Sequence, residues 1–264
     1  ISERIAYQSE LLNKMLALIP LGRYTEAIPY ARIIVDICEE DWGPEHENVA
    51  TVLHNLGFLY QQTGDYSEAE PIFLRALAIR EKALGPDHPN VARSLNGLAL
   101  LYQEEGDYKH AEELFKRSLQ IKEKSFGDAG PEYAIELNNL AVLYKDLGDY
   151  DQAETLLKKI LTIFEKEYGQ KNLRVATVLN NLAGVYRAKG DFNQAGILYE
   201  RSMQIDKDLL ANDHPDYARD LNNLALLYFE EGKYDLAEPL LKNALEITEK
   251  SAGPTHPDLV PILN

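Results

Sequence analysis

One interval governs this chain. Gly22, Gly64, Gly106, Gly148, Gly190 and Gly232 follow one another at steps of 42 residues. Two residues after each glycine stands an aromatic: Tyr24, Tyr66, Tyr108, Tyr150, Phe192 and Tyr234. Five residues after it stands an alanine: Ala27, Ala69, Ala111, Ala153, Ala195 and Ala237. Three columns agreeing over six copies identify a repeat array. Six times 42 is 252 of 264 residues, so units that pack only on their neighbours replace the two globular domains that length alone suggests.

Each copy reads as two helices. In the third, Val91, Ala92, Leu95, Leu98, Ala99 and Tyr102 recur at spacings of three and four, the apolar stripe of an amphipathic helix. Gly106 closes that helix and Asp107 is placed to cap the next. The second helix carries Tyr108, Ala111, Leu114, Phe115, Leu119 and Ile121 on one side. Gly127 stops it, and Pro131 precedes the following unit. Short linkers make successive helices antiparallel neighbours. Ala99, Ala141, Ala183 and Ala225, with Gly57 in the same column, are expected where the two helices approach most closely. Tyr60, Tyr102, Tyr144, Tyr186 and Tyr228 are expected to bury their rings and keep the hydroxyl at an edge.

These residues resemble the tetratricopeptide pattern, W-x2-L-G-x2-Y, A-x3-F and P. Leu53, Leu56, Gly57, Tyr60, Ala69 and Phe73 match at those spacings with Leu for Trp, and Leu95, Leu98, Ala99, Tyr102, Ala111 and Phe115 repeat the match. Pro89, Pro131, Pro215 and Pro257 supply the proline. The eight residues beyond the usual period of 34 fall after the second-helix alanine, which predicts a longer second helix. The run from Ala76 to Pro89, joined to Leu-Asn-Asn-Leu-Ala, resembles the kinesin-light-chain type of this repeat. The resemblance implies an all-α, right-handed α-α superhelix, with units at about 5–46, 47–88, 89–130, 131–172, 173–214 and 215–256. A truncated seventh begins at 257–264. The chain opens on Ile1 and stops at Asn264 in mid-repeat, so a fragment of a longer array is expected.

Several copies depart from the pattern. Lys14 replaces a Leu in the first, where Leu11, Leu12, Met15, Leu16 and Ile19 keep an apolar stripe until Pro20 shortens it. Leu173 replaces the linker proline, and residues 209–212 lack the usual glycine. Gly196 replaces the Glu of the Ala-Glu pair, a cost of about 1 kcal/mol in helix propensity. Pro29, Pro71 and Pro239 fall early in second helices, which predicts a bend or a later start.

In this family the exposed positions of the first helix contact the ligand. Two columns there are rich in asparagine: Asn55, Asn139, Asn181 and Asn223 in one, Asn96, Asn138, Asn180 and Asn222 in the other. An amide donates and accepts, so such a ladder suits the backbone of an extended peptide, or else bonds between neighbouring helices. Phe58, Leu100 and Val142 form an apolar strip, in a column that also contains Leu16, Gly184 and Leu226. Arg93, Lys145, Arg187 and Arg219 outnumber Glu104, Asp146 and Glu230 in these columns by one, inside a molecule of net charge −16. Kinesin light chains use such a groove for acidic cargo peptides containing an aromatic, so the resemblance implies a protein or peptide partner of that kind.

The net charge disfavours nucleic acid and anionic membrane. A single cysteine, Cys38, excludes an internal disulfide framework and suits a reducing, cytoplasmic setting. His88, His214 and His256 lie in different linkers, too far apart for one metal ion, and read as loop caps. No nucleophile–base pair, phosphate loop or metal spacing stands out, so neither catalysis nor a cofactor is expected. The expected function is a non-catalytic scaffold for protein interaction. Two alternatives stay open: a regulatory or sensor arm of a larger protein, and a self-assembly module associating through the array ends.

Overall fold

In the computed structural model residues 2–252 are described; the start of the seventh copy and His256 lie outside them. The chain forms two compact units. The first, Ile1–Asp128, holds α1 (Ser2–Leu18), α2 (Tyr24–Trp42), α3 (Glu47–Gln62), α4 (Tyr66–Leu84), α5 (Pro89–Glu104) and α6 (Tyr108–Phe126). The second, Ala129–Asn264, holds α7 (Pro131–Asp146), α8 (Tyr150–Tyr168), α9 (Leu173–Ala188), α10 (Phe192–Leu209), α11 (Pro215–Glu230) and α12 (Tyr234–Ala252). Each odd-numbered helix pairs with the next to form a hairpin, and hairpins stack within each unit. No strand occurs among the described residues.

The local chemistry of the helix ends follows the sequence. Gly106 takes the left-handed conformation at φ 81°, which lets Asp107 N–H reach back to Tyr102 O at 2.8 Å. The carboxylates of Asp107, Asp149 and Asp191 then accept from the backbone N–H three residues on, starting α6, α8 and α10. The linker histidines are caps: Nδ1 of His46, His88 and His214 accepts from the second N–H of the following helix at 3.1 Å. Where Leu173 replaces the proline, Asn172 Oδ1 does the same at 2.9 Å. Second helices are the longer, 19 residues against 16 in α4 and α3. Pro29, Pro71 and Pro239 neither delay nor end their helices, which begin at the column aromatic as elsewhere. Without its glycine, α10 ends one residue short on an extended Leu210.

The small-residue columns are fully buried: Ala99, Ala183 and Ala225 on first helices, Ala69, Ala111 and Ala195 on second helices. In the first copy Leu11 and Met15 are buried, while Leu12 and Leu16 face outward. Tyr102 and Tyr186 donate their hydroxyls to Glu70 and Glu154 of the preceding copy, at 2.7 and 2.9 Å. Gly196 removes that acceptor in the fifth copy, and Tyr228 turns instead to Glu200 at 3.3 Å.

Two departures in the asparagine columns explain each other. The amide of Asn223 donates to Asn180 Oδ1 at 2.8 Å, and that of Asn181 to Asn138 Oδ1 at 3.3 Å, so one column bonds to the other across neighbouring first helices. The corresponding pair in the first unit is Gly97 and His54. The His54 ring packs edge-on to Phe73, centroids 5.4 Å apart, and a Cβ at Gly97 would lie 2.8 Å from His54 Cε1 and 2.9 Å from Phe73 Cε1. Burial, with Arg80 and Arg93 nearby, drops the His54 pKa to about 3, so the ring is neutral. Gly97→Asn is therefore expected to cost about 1–3 kcal/mol as overpacking. In His54→Asn most of that cost disappears, because the Asn–Asn bond is restored. Urea unfolding of the double-mutant cycle measures this, and additive effects would refute the coupling.

Candidate functional site

Within the second unit, three first helices and one second helix line an open-mouthed cavity of about 260 Å³. Its lining includes Lys145 from α7, Asn181 and Arg187 from α9, Arg219 and Asn223 from α11, and Tyr199 from α10. Gly184 makes the room. Its column elsewhere carries Leu16, Phe58, Leu100, Val142 and Leu226, and a Cβ added at Gly184 would meet only Tyr199 Oη, at 3.5 Å. Tyr199 is 2% exposed and stands in the column that holds Phe73 and Phe115 in other copies, so it adds a hydroxyl where the pattern has none. Burial raises its pKa despite the opposing charge of Arg187.

The cations are partly compensated. Arg219 holds Asp216 at 2.6 Å, and its Nη2 lies 3.9 Å from both Asp206 Oδ2 and Asp220 Oδ1. Arg187 Nε is 3.8 Å from Glu230, while its Nη1 is buried without a protein partner. A buried guanidinium N–H without an acceptor is costly, and an oxygen anion in the cavity would satisfy it.

Behind this cavity lie two carboxyl groups, Asp206 on α10 and Asp220 on α11, 2% and 1% exposed. Both lie against the same Arg219 Nη2. Asn180, itself a lining residue, donates to Asp220 Oδ1 at 2.5 Å, and Ser202 Oγ stands 3.1 Å from Oδ2. Burial first, then the neighbouring Asp206, pushes the Asp220 pKa up to about 7.

Of the residues expected from sequence, Lys145, Asn181, Arg187, Arg219 and Asn223 come together around the cavity. Asn139 and Val142 sit half-buried on α7, outside that lining. In the first unit Asn55 and Asn96 are half-buried on α3 and α5, and Arg93 is exposed. Phe58 and Leu100 are exposed there, with Phe58 edge-on to Tyr24 at 6.2 Å. Sequence reasoning missed Tyr199, the opening at Gly184, and the Asp206–Asp220 pair. A signal existed for each. Gly184 interrupts an apolar column, and the two aspartates occupy columns that hold Phe164 and Val178 in the preceding copy.

No group of three potential metal ligands, and no helix long and apolar enough to cross a membrane, occurs among the described residues. The tetratricopeptide repeat model matches residues 9–82, 48–124, 132–208, 174–250 and 218–264 in overlapping windows. The chain belongs to the tetratricopeptide-repeat family. No curated protein sequence matches it. Among solved structures, it is similar to the nearly identical TPR-like repeats of a kinesin-light-chain candidate from Podosopora anserina. That match has 28% identity and a TM-score of 0.66 over 78% of this chain and 98% of the other. BtubC (BKLC) from P. vanneervenii matches at 24% identity and TM-score 0.69, over 94% of both chains. The apo form of RapI matches at 18% and 0.65, over 92% of this chain and 98% of the other. The last two likenesses concern the fold alone. Tetratricopeptide repeats are in general non-catalytic scaffolds that bind protein partners, and the kinesin-light-chain type is the one this chain resembles in fold.

The buried acid pair has a consequence for stability. A carboxyl whose pKa is higher in the fold than in the unfolded chain contributes most at low pH, and the contribution is lost as pH rises from about 4 to about 7. Between pH 5.5 and 8 the wild type is expected to lose stability, by at most about 1.4 kcal/mol per pH unit for one proton. Asp220→Asn should show a flatter profile and be the more stable at pH 8. Urea midpoints at the two pH values decide this; parallel profiles would place both carboxylates in the ionised state.

Proposed function

We propose that this tetratricopeptide-repeat protein is a cytoplasmic scaffold that captures a peptide or partner segment on the exposed face of its first helices. An acidic side chain or terminus of the ligand enters the cavity lined by Lys145, Arg187 and Arg219. Asn139, and the amide capacity of Asn181 and Asn223 left over from their inter-helix bonds, serve the ligand backbone there, and Asn55 and Asn96 offer the same chemistry in the first unit. Within the second unit Val142 extends that face for an apolar neighbour of the acidic residue; in the first unit Phe58, Leu100 and Arg93 offer apolar and basic contacts of their own.

The observation that carries this reading is the buried, unpartnered Nη1 of Arg187 beside a polar cavity that opens to solvent. A positively lined cavity in a molecule of net charge −16 favours an acidic ligand locally while the rest of the surface repels polyanions such as nucleic acid or an anionic membrane. The likeness to kinesin-light-chain-type repeats supports a peptide as the occupant. The buried Cys38, its thiol pKa raised by desolvation, accords with a reducing compartment.

Gly184→Leu tests the reading without removing any charge. The leucine matches Leu100 and Leu226 of the same column and relieves a helical glycine, worth about 1 kcal/mol, so thermal stability is expected to hold or rise. It fills the cavity. Fluorescence anisotropy with a labelled acidic peptide containing a tryptophan is expected to show binding at least about tenfold weaker than wild type. A basic peptide is expected to bind neither protein. Equal binding of the acidic peptide to both proteins would refute the cavity as its site. No binding to wild type, with sedimentation that depends on concentration, would favour self-assembly.

A further inference from the structure

We infer that the cavity's hold on an anion is proton-linked: the Asp206–Asp220 pair keeps one proton between two buried carboxyl groups, and loss of that proton weakens the anion's hold. This rests on reading the cavity as anion-accepting. Asp206 and Asp220 are 2% and 1% exposed, and an oxygen of each lies 3.9 Å from the same Arg219 Nη2; two carboxyl groups buried this close repel when both are ionised, which favours a proton on one of them. Ser202 supplies a single hydroxyl hydrogen with two acceptors within reach, Ala176 O at 2.9 Å and Asp220 Oδ2 at 3.1 Å.

The pair reaches the cavity by two routes. Asn180 bonds Asp220 Oδ1 with its amide N–H and accepts from Asn223 with its oxygen, and both asparagines line the cavity. Arg219 lies 3.9 Å from a carboxyl oxygen of each aspartate while also lining the cavity. When the pair is singly protonated, one negative charge competes for Arg219. When it is fully ionised, two do.

The charged groups on the packed elements set the balance. Lys145 on α7, Arg187 on α9 and Arg219 on α11 face Asp206 on α10 and Asp216, Asp220 and Glu230 on α11, with Tyr199 neutral and His214 at the cap of α11. Fully ionised, three cations meet four carboxylates, a surplus of one negative charge. One retained proton brings the count to neutrality, so an incoming anion meets no net repulsion. Burial holds that proton to about pH 7, within the range where an intracellular shift would act. By reciprocity, a bound anion raises the pair's affinity for the proton.

Sulfate, whose charge does not change between pH 6 and 8, is the probe. Its affinity is read by NMR from the side-chain N–H signals of Arg187, Asn180 and Asn223. Wild type is expected to bind sulfate about five- to tenfold more weakly at pH 8 than at pH 6. Asp220→Asn, which keeps an oxygen for Asn180 and an N–H for Ser202, is expected to change less than about twofold and to keep the low-pH affinity. His214→Asn puts an amide oxygen in place of the capping ring nitrogen, as Asn172 does at α9, removes the nearby imidazole, and should retain the wild-type pH dependence. Sulfate affinity equal at both pH values, or no sulfate binding at pH 6, would overturn the inference. So would carboxyl carbon shifts showing that Asp206 and Asp220 both ionise below pH 5 in wild type, a measurement that needs no variant to fold. If sulfate behaves as expected while the acidic peptide does not bind, the proton linkage stands and the peptide reading falls.

Discussion

A hairpin of two short helices cannot bury its apolar face alone, and in this chain that constraint is met by close approach. Glycine or alanine at the helix crossing lets second-helix side chains such as Phe73, against Gly57, and Phe115 seat fully against the first helices. A larger side chain there would separate the axes and break the stack on both sides, since each hairpin serves as the wall of its neighbour. The exposed face of the first helices is the remainder, the positions that this packing does not use.

The departures from the repeat come in facing pairs. His54 occupies the space that an asparagine side chain would take from the next copy, and Gly97 vacates it. Arg80, fully buried, finds Ser94 at 2.6 Å, with burial lowering its pKa to about 10 but leaving it charged at neutral pH. Asp206 and Asp220 stand in those same two columns 126 residues later (206 − 80 = 126), as do Phe164 and Val178 one repeat before them. One position pair thus carries a cation with a hydroxyl, an apolar contact, and two acids, each internally consistent. Repeat proteins tolerate this because a mismatch is felt only by the adjoining hairpin. Loss of Glu at Gly196, answered by Tyr228 turning to Glu200, is a smaller instance.

The cavity of the second unit arises from the same logic in reverse. Gly184 removes a side chain that the column otherwise supplies, and Tyr199 adds a hydroxyl behind the gap. A surface that carries an apolar side chain in other copies becomes a polar recess, which raises the stakes of every buried unpaired group at its base. The Arg187 guanidinium and the aspartate pair both bear on this one place.

The order of the helices, their lengths, their caps and the buried columns were legible in the sequence, because each depends on local spacing that recurs six times. The aspartate and histidine caps and the alanine contacts needed no tertiary information. The partners of the asparagines did, since residues 43 apart meet only once the hairpins stack, and the same stacking turned those amides partly away from any ligand. Asp206 and Asp220, 14 residues apart on different helices, read singly as surface acids in an acidic chain. Their burial, and hence the raised proton affinity, is decided by the packing of α10 on α11. Desolvation is a property of the assembled fold and leaves no mark in the spacing of residues.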